Sequence, residues 1–172
     1  MNLKQFLPLE NYTLTTKLSA EEVRDRIANK TGPKKNFRFS LEANSYTKPY
    51  EGVLTNSSFT ICRVIDYRNS FLPVITGNIS SYAGKTEVKI SMQLQKFVLI
   101  FVSVWLSLVG IAFVMQFLYF LNTSPKTFSM PLLISFGSMI FLWVLTYFAF
   151  KKESKISKGF LARLLEGEEI AS

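Results

Sequence analysis

The chain has 172 residues, with 20 Lys+Arg against 12 Asp+Glu, a net charge of +8, and no His. The missing imidazole removes the commonest general base and the commonest metal ligand, and a single cysteine, Cys62, excludes an internal disulfide. No nucleic-acid-binding motif accompanies the basic balance, which points to contact with anionic lipid headgroups instead.

The first residues contain no sustained apolar run, so no cleavable signal peptide is expected there. Tyr12, Leu14, Thr16 and Leu18 fall on one face of a short strand. A helix follows over Ala20 to Lys30. Ser19 is its N-cap and Glu22 the partner in a capping box, while Leu18 and Val23 have the spacing of a hydrophobic staple. Val23 and Ile27 form its apolar stripe, and Gly32-Pro33 is expected to stop it, the glycine by taking a left-handed cap.

After the basic pair Lys34 and Lys35, the hydrophobic period switches to two. Phe37, Phe39 and Leu41 alternate with Arg38, Ser40 and Glu42, and a short strand is expected around Tyr50 to Thr55. Asn56-Ser57 reads as a two-residue turn. Ser58 to Arg68 reads as the longest strand, with Phe59, Ile61, Ile65 and Tyr67 on one side. Phe71 to Ile79 is the next, with Pro73 marking its start or an edge. Val88, Ile90, Met92 and Leu94 then alternate with Glu87, Lys89, Ser91 and Gln93 in the cleanest strand of the chain.

That last strand runs into two apolar stretches. Residues 97–121 and 127–150 hold 25 and 24 residues with no charge. Roughly 20 apolar residues of helix cross a bilayer core, so each stretch is long enough to span. The link Asn122 to Lys126 is too short for a domain, and the pair reads as a hairpin. Lys96 precedes it, and Lys151, Lys152, Lys155 and Lys158 follow it. By the Lys/Arg bias of short flanks, both termini are expected in the cytoplasm, the protein lying in the inner or plasma membrane. Ser103, Ser107 and Gly110 in the first stretch, and Ser135, Gly137 and Ser138 in the second, are candidate positions for close helix packing. Gln116 is expected to make one interhelical hydrogen bond. No Asp, Glu, Lys or Arg lies in either stretch, which argues against a proton relay or a charged-substrate path.

In the tail, Ile156, Phe160, Leu161, Leu164 and Leu165 have helical spacing. One reading docks this amphipathic helix on the sheet, and the other lays it in the headgroup region. The expected fold class is α+β: a small antiparallel β-meander with one N-terminal helix, plus the transmembrane hairpin and the C-terminal amphipathic helix. The expected domains are a cytosolic unit over residues 1–96, the hairpin over 97–150, and the tail over 151–172.

Candidate contacts to a lipid headgroup or a partner are Lys34, Lys35, Arg38, Arg63, Arg68, Lys151 and Lys152. Arg63, Asp66 and Arg68 fit a cross-strand ion pair and a solvated edge better than a phosphate or headgroup site. No phosphate loop, metal-ligand spacing or catalytic constellation is found, so neither an enzyme nor a cofactor is expected.

The segment Tyr50-Glu-Gly, followed by Phe59-x-Ile61-x-Arg63-x-Ile65-x-Tyr67-Arg-Asn-Ser-Phe-Leu-Pro-Val-Ile75-x-Gly77-x-Ile79, resembles a string of uncharacterised small two-pass bacterial membrane proteins. The order strand, helix, meander is similar to that of helix-grip (START-like) domains, and this resemblance implies binding of a lipid or another apolar ligand. Two functions follow as expectations. One is a membrane-anchored binding or accessory module, whose partners are membrane lipids and either a membrane protein or further copies of the chain. The other is an apolar-ligand carrier.

Overall fold

The computed structural model describes residues 7–33, 48–65, 69–82, 84–122 and 130–170. They fall into two units: residues 1–95 with 150–172, and residues 96–149.

The first unit is a seven-stranded sheet with helices on one face. Strand β1 (Leu9–Thr16) leads to α1 (Ala20–Lys30), whose expected bounds agree with those observed. Ser19 accepts from the Glu22 amide, and the Glu22 carboxylate accepts from the Ser19 amide, so both halves of the capping box are present. The helix does not end in a left-handed glycine. Thr31 is its C-cap, already extended at φ −115°, and the chain passes directly into β2 (Thr31–Pro33). A β-branched residue accepts this extended geometry readily, and Pro33 biases Gly32 against the helical region.

The strands β3 (Tyr50–Leu54), β4 (Ser58–Arg63), β5 (Pro73–Tyr82) and β6 (Lys85–Leu94) follow as antiparallel neighbours. Thr55 and Ser58 close the β3–β4 turn through the Thr55 amide and the Ser58 carbonyl, 2.8 Å apart. The strand expected to be longest, Ser58 to Arg68, stops at Arg63, where the Val64 amide turns to the Pro49 carbonyl. β5 and β6, ten residues each, are longer. β5 begins at Pro73, as its missing N–H requires. The strand expected over Phe37 to Leu41 lies outside the described residues.

The spatial order is β2-β3-β4-β5-β6-β1-β7, where β7 is Glu168–Ile170. The sheet is mixed and not a pure antiparallel meander, because β2 runs parallel to β3. β7 was not expected; it pairs with Thr13 to Thr15 of β1.

Residues 96–149 contain α2 (Lys96–Asn122) and the first part of α3 (Met130–Leu164). Both helices are long and apolar enough to cross a membrane by length and composition. Of the expected link, Asn122 to Lys126, Asn122 ends α2 and the rest lies outside the described residues. α3 has no break after its apolar run. Lys151, Lys152, Glu153, Lys155 and Lys158 are all adequate helix formers, so the expected separate tail helix is the continuation of α3.

In the first unit α1 and residues 150–164 of α3 cover the same sheet face. Phe59, Ile61, Ile75, Val88, Met92 and Leu94 from the sheet are under 2–3% exposed, as are Val23 and Ile27 of α1 and Phe150 and Leu161 of α3. Opposite Phe59 in the β4–β5 register stands Gly77. The Phe59 ring lies over it, so that a Cβ at Gly77 would come 2.1 Å from Phe59 Cζ. The other sheet face is polar, with Asn11, Thr60, Asn78, Lys89 and Gln93 exposed.

The Gly77 contact gives a first prediction. Gly77→Ala should lower stability by about 1–3 kcal/mol, the usual cost of overpacking, read as a lower thermal midpoint in detergent. Phe59→Leu added to it should recover part of the loss. An unchanged midpoint in Gly77→Ala would contradict the packing.

Candidate functional site

The polar chemistry of the first unit is concentrated on the seam between α3 and the sheet. Four buried positions of α3 recur at helical spacing on one face: Phe150, Ser154, Ser157 and Leu161, with Glu153 and Leu165 beside them. The expected stripe named Ile156, which is instead 42% exposed. The buried face is displaced from the purely apolar one, and partners on the sheet satisfy the polar groups of Glu153 and Ser154.

Glu153 is 3% exposed and receives Arg63 of β4 at 2.6 Å and the Asn69 amide at 3.2 Å. Burying a carboxylate without such partners would cost several kcal/mol. Glu10 of β1 is the second centre. It accepts from the Ser154 hydroxyl, and the Lys151 and Lys158 ammonium groups stand 3.4 and 3.5 Å away. Burial pushes the Glu10 carboxyl up. The Ser154 hydrogen bond and the two ammonium groups outweigh it, and its pKa lies below the usual carboxylate value. Lys158 also pairs with Glu169 of β7 at 2.7 Å and lies 4.7 Å over the Tyr12 ring. Tyr12 is buried, and burial, then the Glu10 and Glu169 charges, hold its phenol above its ordinary pKa.

The end of α3 is fixed as tightly. The Thr16 hydroxyl donates to the Leu165 carbonyl at 2.7 Å, and Arg26 of α1 donates to the Leu164 carbonyl at 3.0 Å and to Glu166 at 2.7 Å. The Gly167 amide bonds to the Ala162 carbonyl and the Glu166 amide to the Arg163 carbonyl. This is a Schellman cap in which Glu166, at φ 48°, takes the left-handed position. The glycine comes one residue later because Gly167 is pressed on β1: a Cβ there would sit 3.3 Å from Leu14 Cβ. An open cavity of about 540 Å³ lies beside this turn, lined by Thr15, Lys17, Lys85, Glu166, Glu168 and Ile170, among others.

Of the residues expected to contact a headgroup or partner, Arg63 is committed to Glu153 and Lys151 to Glu10, whereas Lys152 is exposed. Lys34, Lys35, Arg38 and Arg68 lie outside the described residues. In the second unit, Ser135 donates to Gln116 Oε1 at 3.3 Å, Phe113 and Phe136 rings are 5.9 Å apart, and Gly110 faces Met139. Ser138 donates to the Ser135 carbonyl. Ser103, Ser107 and Gly137 lie on exposed faces, and the Ser107 hydroxyl returns to the Ser103 carbonyl. Sequence reasoning missed Glu10, Glu153, Ser154 and Glu169. The available signal was a carboxylate and two serines at i, i+1 and i+4 inside a helical apolar stripe.

No group of three or more His, Cys, Asp and Glu side chains among the described residues could hold a metal ion. No protein-family model and no curated protein matches this chain.

Two outcomes are expected. Arg63→Met should cost about 3 kcal/mol of stability, because it removes a cation 2.6 Å from a buried carboxylate. Arg63→Met with Glu153→Leu should recover most of that, as measured by thermal unfolding. For Glu10 the folded pKa is depressed, so its stabilisation is complete above the usual carboxylate range and is lost as pH falls through the folded value. The thermal midpoint of Glu10→Gln should therefore lie below that of the native chain at neutral pH. The gap should close as pH falls through and below the usual carboxylate range. A gap constant over that window would contradict the assignment.

Proposed function

We propose that this chain is an integral membrane protein that works by binding. It is anchored by α2 and the apolar part of α3, and its sheet unit is an accessory or interaction module in the cytoplasm. The observation that carries this reading is the filled seam. Phe59, Phe150, Leu161 and Leu165 are each under 2% exposed where α3 meets the sheet. A side-chain-filled seam leaves recognition to outer surfaces, as in a protein-binding module.

The alternative, an apolar-ligand carrier, keeps one supporting observation. The order β1, α1, strands, then a helix laid along the sheet is the order of helix-grip domains. A carrier, however, needs a chamber at the seam, where this chain has the buried side chains of Phe59, Phe150 and Leu161.

The test is purification of the full chain in native lipid, followed by mass analysis of what stays bound. A stoichiometric second polypeptide, or further copies of the chain, is the expected result. One bound lipid per chain, with no polypeptide partner, would overturn it in favour of the carrier. Reporter fusions should place both termini in the cytoplasm; an external N-terminus would overturn the cytosolic placement.

A further inference from the structure

Four lysines follow the apolar run of α3, and the structure divides them into two kinds. Lys151 and Lys158 turn to the sheet, where Glu10 stands 3.4 and 3.5 Å away and Glu169 holds Lys158 at 2.7 Å. Lys152 and Lys155 are exposed and have no ion-pair partner among the described residues. Three residues apart on one helix, they share a face. Phe150 ends the apolar run. A rise of 1.5 Å per residue puts Lys152 about 3 Å and Lys155 about 8 Å beyond it along the helix axis. Beyond the end of a spanning apolar run, this depth is the headgroup layer.

We propose that Lys152 and Lys155 bind the phosphate headgroups of anionic lipids, and that Glu10 withholds Lys151 from the same contact. The proposal rests on the reading of α3 as membrane-spanning. Its chemistry is a pair of compact ammonium charges on flexible stems, which suits mobile phosphate groups better than a fixed bidentate partner. Glu10 competes with the lipid for Lys151. The sheet thereby sets how many of the four charges face the bilayer. Arg63, also basic, takes no part because it is committed to Glu153 at 2.6 Å.

The test uses the full chain in nanodiscs of mixed phosphatidylcholine and phosphatidylglycerol. The lipids retained on the protein are counted by native mass spectrometry. The native chain should retain phosphatidylglycerol in excess of its share, and the excess should fall with added salt. Lys152→Gln with Lys155→Gln should reduce the preference by about fivefold per lysine. Glu10→Gln should raise it, an effect that a merely structural role of Glu10 would not produce. Circular dichroism melts confirm that each variant is folded. A preference unchanged in the double variant overturns the headgroup contact, and one unchanged in Glu10→Gln overturns the competition. Alkaline extraction separates the two levels of the reading. A chain released from the bilayer fails as a membrane protein, and a retained chain without lipid preference fails only in this contact.

Discussion

Phe150, Leu161 and Leu165 close one face of the sheet, and the polar groups between them must be satisfied in the same seam. An apolar stripe alone would let a helix slide or rotate on a sheet at modest cost. Here a one-residue rotation would carry Glu153 away from Arg63 and Ser154 away from Glu10, leaving a buried carboxylate without its cation. Apolar burial supplies the attraction, and the ion pairs set the register. The Thr16–Leu165 and Arg26–Leu164 hydrogen bonds then fix where the helix stops, and the Schellman turn returns the chain to pair with β1.

The same seam governs the electrostatics. A stretch with four lysines after an apolar run reads as one basic cluster, but the carboxylates of Glu10 and Glu169 neutralise the inward half of it. The outward half, Lys152 and Lys155, stays exposed. Charge counted along the chain therefore overstates the charge that the folded unit presents, because Glu10 meets Lys151 and Lys158 from more than a hundred residues away.

The apolar helices follow a different logic. Residues exposed on α2 and α3 include Phe101, Trp105, Leu108, Phe141 and Phe148, a long run of large apolar side chains on helices long and apolar enough to cross a membrane. Where α2 and α3 touch, the contact uses Gln116 with Ser135 and the small Gly110 beneath Met139. Small residues elsewhere on these helices, such as Ser103 and Gly137, lie on exposed faces. Spacing of small residues indicates which positions permit close approach, and the face that is used depends on the partner helix.

Elements whose signals are local could be read from the sequence alone. The capping box at Ser19 and Glu22, the alternation over β6, the Pro73 strand start and the two uncharged runs were all legible, since each depends on neighbours within a few residues. The seam was not. Glu153 and Ser154 fall outside the apolar stripe that the tail's spacing shows, and Arg63 and Glu10, arriving from distant strands, are what admit them to the interior. The parallel pairing of β2, the strand β7 and the unbroken course of α3 likewise depend on non-local partners. Periodicity ranks residues by their affinity for water, whereas a buried charge is permitted by its partner, and the tertiary fold alone brings that partner into place.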